Sequence, residues 1–177
     1  VQAETGEGSP ECEAVLAAAA TGAEVVQFTC ATISPLAEPL VSLSGIRVLS
    51  VDARMALDVV TRHTRIALFA TNPGTMQQSE DQLRSAAAHA GRNIELETSL
   101  EEAAYEALLS GDEQTHDRLV MEEVTRLCRT AEALVLAQAS TAGAIQRSGQ
   151  ELPDTVTVYT SPHYAVEGLV SCLEDLQ

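Results

Sequence analysis

The side chain best placed to do chemistry is Cys30, in the run VVQFTCATISP over residues 25–35. It stands where an extended apolar stretch should give way to a helix. Backbone N–H groups at a helix start lower a thiol's pKa from its usual value of about 8.5 and favour the thiolate. Thr32 and Ser34 are polar donors on the same turn. Such a thiolate acts as a nucleophile or as a general base. The competing reading is a small, inert, buried hydrophobe. No His or Asp lies next to Cys30 in sequence to make a protease-like pair.

Other strand-end segments carry hydroxyls. Thr71 and Thr75 flank Asn72-Pro73-Gly74 in ATNPGT. Hydroxyls with N–H groups at a helix start suit a carboxylate; the alternative is a turn ending in an N-cap Thr. Gln138, Ser140 and Thr141 follow ALVLA, and Ser161 precedes Pro162-His163. His116, beside Asp117, is expected on an exposed helix face with Asp112 as a cap. His63 and His89 are expected at the surface, and His163 in solvent on a first turn. Cys12, Cys128 and Cys172 fall in helical stretches and read as packing residues.

The elements that must position these residues alternate. Six short apolar runs, 23–28, 46–51, 65–70, 93–97, 133–138 and 155–160, read as strands, and four are nearly continuous, as in strands buried on both faces. Helical stretches cover 10–20, 52–62, 77–90, 99–109, 112–130 and 162–175. Ser99 and Glu102 have capping-box spacing, and Pro162 suits a first turn. Strand–helix alternation predicts an α/β fold with parallel sheet flanked by helices. Ligands in such folds bind at the carboxyl ends of the strands, where the residues above lie.

Composition narrows the function. Of 177 residues, 26 are acidic and 10 basic, a net charge of −16, and every basic residue is Arg. That surface repels phosphate backbones, so no nucleic acid is expected. No apolar run reaches membrane-spanning length, so no membrane partner is expected. GxxxxGK[ST] and GxGxxG are absent and there is no Lys for a Schiff base, so nicotinamide, flavin and pyridoxal phosphate are not expected. The four cysteines and the histidines have no metal-ligand spacing, so no metal and no cofactor is expected. Free thiols in a reducing cytoplasm are the default for such a chain.

Five pieces in order, VVQFTCATISP, RIALFATNPGTM, GDEQTHD, ALVLAQASTAG and TVYTSPHYAVEGL, resemble the Asp/Glu/hydantoin racemase superfamily. The resemblance covers roughly residues 10–177. It implies two small α/β lobes facing across a cleft: 1–63 with 161–177, and 64–160. It implies cofactor-free proton transfer at the carbon next to a carboxylate of a small acidic substrate. Cys30 is then the first-lobe acid/base, with Thr32, Thr71, Thr75, Gln138, Ser140 and Ser161 around the substrate, in a homodimer. Two departures stand out. Racemases read Gly-Cys-Thr after the ALVLA strand, where this sequence has Gln138-Ala139-Ser140. The strands with which family members begin are also not evident, so the first lobe is expected to be incomplete. The alternatives are a one-cysteine lyase or decarboxylase of the same superfamily, and a non-catalytic small-acid binding protein.

Overall fold

A computed structural model describes residues 8–176. The chain forms two compact units, Val1–Arg54 with Pro162–Gln177, and Met55–Ser161. The first unit contains helix α1 (Pro10–Ala20), strand β1 (Val25–Gln27), a 3-10 helix (Ala31–Leu36), helix α2 (Ala37–Ser44) and strand β2 (Arg47–Leu49). Helix α3 (Ala53–Arg62) opens at the boundary. The second unit continues with β3 (Arg65–Ala70), α4 (Pro73–His89), β4 (Glu95–Leu100), α5 (Glu102–Leu109), α6 (Glu113–Leu127), β5 (Ala133–Leu136), α7 (Ala139–Ser148) and β6 (Thr157–Thr160). Helix α8 (Ser161–Glu174) returns to the first unit. Every strand pairing is parallel, as the alternation predicts.

In the first unit β1 and β2 make a two-stranded sheet, with Gln27 opposite Leu49. Its core is Cys12 and Val15 from α1, Phe28, Val48 from β2, and Leu36, Ala37 and Leu40. Gly45 ends α2 with φ 72°, a left-handed conformation that a side chain would strain. Arg47 ties α8 to β2: its guanidinium donates to the Cys172 carbonyl at 3.0 Å.

In the second unit the order is β4-β3-β5-β6. β3 and β5 are central and buried along nearly their whole length. Their continuous apolar runs follow from burial on both faces. Alternate residues Ala67, Phe69, Leu134 and Leu136 share one core cluster with Val120, Val124 and Leu127 of α6. The expected strand 93–97 lies instead at Glu95–Leu100, because Glu95 starts level with Arg65 and Leu100 ends level with Ala70. Register with the neighbouring strand overrides the local pattern.

Three further expectations change. Ser99 is not a cap: it lies within β4 and its hydroxyl donates to Glu123 of α6, while α5 starts at Glu102 without a side-chain cap. The helix expected over 77–90 begins at Pro73, because Asn72 caps it and proline is pre-organised for the first helical position. His116 is not exposed but fully buried between α5 and α6, with Nδ1 on the Ala104 carbonyl at 3.0 Å and Nε2 unpartnered. Asp112 does cap α6, accepting from the Thr115 N–H. Cys12, Cys128 and Cys172 are buried, as packing residues should be. Among the described residues no helix is long and apolar enough to cross a membrane.

Two outcomes follow. His116→Ala should cost roughly 2–4 kcal/mol in urea unfolding, as for other large-to-small core changes. His89→Ala should cost less than about 0.5 kcal/mol, because His89 is exposed; equal midpoints would contradict the burial of His116. The second concerns Arg126, which donates to Glu123 at 2.7 Å and Glu97 at 2.8 Å. Arg126 first, then Ser99, holds the Glu123 carboxyl below its usual range. A depressed carboxylate contributes stability above its unfolded pKa of about 4.3, and loses it as pH falls through the lower folded value. Arg126→Met should therefore cost about 1 kcal/mol at pH 7, since the pair is partly exposed. The penalty should fade below about pH 4, which a chemical-denaturation series across pH measures.

Candidate active-site loops

In the first unit, the Phe28 N–H donates to the Leu49 carbonyl at 2.8 Å and extends the β1–β2 ladder by one step. The chain then runs extended through Cys30 (φ −129°, ψ 125°), which occupies the cap position of the 3-10 helix. Cys30 is exposed, alone among the four cysteines. Its thiol receives no capping N–H. The Ile33 N–H and the Ser34 hydroxyl both donate to the Cys30 carbonyl, at 3.3 and 3.4 Å. Ser34 is thus buried and shapes the turn rather than serving the sulfur. Thr32 is exposed on the same turn as Cys30.

Two polar residues of this unit were not singled out by their sequence context. Asp52 lies three residues beyond Leu49, as Cys30 lies three beyond Gln27. Asp52 is buried and accepts from the Ser50 hydroxyl at 2.6 Å. Gln27 donates from Nε2 to the Phe28 and Leu49 carbonyls, and its buried Oε1 has no partner. The available signal was polarity inside or just after an apolar run: Gln27 in VVQF, Asp52 in VLSVD.

In the second unit the strand ends carry the hydroxyls. Thr71 follows β3 and is fully buried. Its N–H donates to Gln138 Oε1 at 2.7 Å, and its hydroxyl to the same atom at 3.1 Å. These bonds join residues that the sequence separates by 67 positions. Asn72 Oδ1 accepts from the Gly74 and Thr75 N–H groups at 2.9 and 3.2 Å, and the Met76 N–H donates to the Asn72 carbonyl at 3.0 Å. Pro73 has no N–H. The start of α4 is therefore closed upon its own cap, and its N–H groups are not free as the sequence suggested.

Helix α7 starts differently. Gln138 holds its cap position but makes no side-chain cap bond, because its oxygen is committed to Thr71. The first N–H groups of a helix have no intrahelical acceptor, so those of Ala139, Ser140 and Thr141 are left open. The Thr141 hydroxyl donates to the Gln138 carbonyl at 2.6 Å. Ser140 is half-buried on this turn. Ser161 directly follows β6 and begins α8, also half-buried. The structure thus brings Thr71, Thr75, Gln138 and Ser140 to adjacent strand ends, with Ser161 after the next strand. Cys30 and Thr32 share a turn of the first unit. His163 is exposed and paired with Glu167 at 3.2 Å, away from any such role.

No second thiol joins the ALVL strand end. Cys128 sits in the core cluster of the second unit, where burial pushes its thiol up. Among the described residues no group of three His, Cys, Asp or Glu side chains is arranged to hold a metal ion.

Parallel strands in this order, flanked by helices, give the chain the fold of the Asp/Glu racemases. It is similar to glutamate racemase from Francisella tularensis subsp. tularensis SCHU S4 in complex with D-glutamate, at 18% identity and a TM-score of 0.66, covering 92% of this chain and 63% of that one. An aspartate racemase homologue from Pyrococcus horikoshii OT3 gives 16% identity and a TM-score of 0.64, covering 90% of this chain and 71% of that one. Arylmalonate decarboxylase gives 16% identity and a TM-score of 0.54, covering 90% and 72%. The chain spans less than two thirds of the length of the glutamate racemase. No protein-family model and no curated protein matches the sequence.

The burial pattern makes a direct prediction. Iodoacetamide on the native protein should label one thiol per chain, at Cys30, with all four reacting after denaturation. Peptide mapping showing native labelling at Cys12, Cys128 or Cys172 would contradict the packing described.

Proposed function

We propose that this protein is an Asp/Glu racemase-like enzyme that moves a proton at the carbon alpha to a carboxylate of a small acidic substrate, with Cys30 as acid/base. The observation that carries the reading is the exposed Cys30 at the carboxyl end of β1, on this fold, while every other cysteine is buried. A thiolate there removes the α-proton and returns it as the thiol, with no cofactor. In the second unit the open start of α7 supplies N–H donors for a carboxylate, and Thr71, whose donors Gln138 holds in this structure, stands at the adjacent strand end. The protein's net charge of −16 does not forbid an acidic substrate, because donors in contact outweigh distant, screened charge.

One observation favours a second reading. Gln138-Ala139-Ser140 supplies no opposing thiol, and an amide is not a proton shuttle near neutral pH. A single thiol delivering a proton to one face of an enolate suits a lyase or decarboxylase: the C–CO2 bond breaks, its electron pair becomes the enolate, and Cys30 protonates that carbon.

Solvent deuterium incorporation tests both. L- and D-aspartate, L- and D-glutamate and substituted malonates are incubated in D2O and followed by NMR and chiral chromatography. The racemase-like reading expects α-deuteration with formation of the mirror-image acid, and the one-thiol reading expects α-deuteration, or CO2 loss with deuteration, without it. Cys30→Ser should slow it by about 10²–10⁴. Turnover unaffected in Cys30→Ser removes Cys30 from the chemistry. Formation of both enantiomers at equal rates would require a second acid/base besides Cys30.

A further inference from the structure

Thr71 has two donors and Gln138 has taken both. We propose that Gln138 is an internal competitor that sets the affinity threshold at Thr71: its amide oxygen is a stand-in for a ligand carboxylate, and an acid binds there only by displacing it. The inference rests on the carboxylate-binding reading above and names what a ligand must displace to bind that loop.

Gln138 Oε1 accepts from both Thr71 donors. The backbone ladder between β3 and β5 ends where the Ala137 N–H donates to the Phe69 carbonyl at 3.0 Å. Beyond it the chain turns into α7, and the Gln138 carbonyl accepts from Thr141. Thr71 is fully buried, so its N–H cannot turn to water and must meet an acceptor from the protein or a ligand. The side chain of Gln138 supplies it at 2.7 Å. A backbone N–H meets only an acceptor, so this contact also fixes which way the amide faces: Oε1 on Thr71, Nε2 away from it.

An amide oxygen and a carboxylate oxygen are interchangeable in shape. Both are planar acceptors able to take an N–H and an O–H together. They differ in charge, and hydrogen bonds to a charged acceptor are roughly twice as strong. Exchanging Gln138 for a neutral acceptor of a ligand, such as an amide or ester, keeps the number of bonds and gains nothing. Exchanging it for a carboxylate keeps the number and strengthens each. Gln138 therefore lowers the affinity of every ligand at Thr71, and lowers that of neutral ones below use. The displacement costs a carboxylate and a neutral acceptor the same, so the acid-over-amide preference comes from the donors, which bond a charged acceptor more strongly.

The test is a titration of the 15N-labelled full chain with sodium acetate and, separately, acetamide, at matched ionic strength, reading the Thr71 backbone amide. Wild type, Gln138→Ala and Gln138→Ser are compared, two variants being used so that one poorly folded protein does not decide the matter. In wild type, acetate should move the Thr71 amide and the Gln138 side-chain NH2 resonances together, and acetamide should move neither. Both variants should bind acetate on the order of tenfold more tightly, the removal of one competing hydrogen-bonded contact. Acetamide binding should become measurable. The added Thr71→Val change should remove the gain. Acetate affinity that is equal or weaker in the Gln138 variants overturns the proposal and leaves the carboxylate reading standing. No response at Thr71 to acetate in any of the three proteins overturns both.

Discussion

Parallel strands release their chains at one edge, and that constraint organises the second unit. Four strands run the same way and end nearly level, Ala70 opposite Leu100 and Phe69 opposite Leu136. Helices α4 and α7 begin at that edge, so unpaired N–H groups accumulate there. How each start disposes of them decides what the loops can do. Asn72 closes α4 with its own side chain. Gln138 reaches across to Thr71 and leaves α7 uncapped. Two helices that look alike in the sequence thus have opposite capacity for a ligand, because one cap looks inward to its helix and the other looks sideways to a neighbouring strand.

The same logic separates what was legible in the sequence from what was not. RIALFA and ALVL read as buried strands because their apolar runs report burial on both faces, which is a property of each segment alone. The start of α8 at Ser161-Pro162 and the cap at Asp112 were legible for a similar reason, since first-turn chemistry is local. His116 was misplaced because its i, i+4 neighbour Val120 and its own polarity point in different directions. The core cluster around Val120 wins, and Ala104 of another helix satisfies one ring nitrogen. Ser99 had the spacing of a cap and lost that role to Glu123, which no local pattern announces.

Among the site residues, the position of Cys30 at a strand end was readable, and so were the hydroxyls of the other loops. Their partners were not. Ser34 spends its hydroxyl on the backbone of Cys30. Asp52 directly follows the apolar run 46–51, but its burial and its bond from Ser50 arise only in the fold. The bond between Thr71 and Gln138 joins two segments that touch only after β3 and β5 have paired.

The first unit is discontinuous: α8 belongs to it, yet the whole second unit intervenes in the chain. The Arg47–Cys172 contact closes a loop of 125 positions. The second unit, by contrast, is one unbroken stretch and holds a core cluster within itself. During synthesis it is made, and leaves the ribosome, ahead of α8. The part of the first unit that Arg47 ties to Cys172 is completed only once α8 has been made, after the whole second unit. The order in which the two units mature is thereby written into the path of the chain.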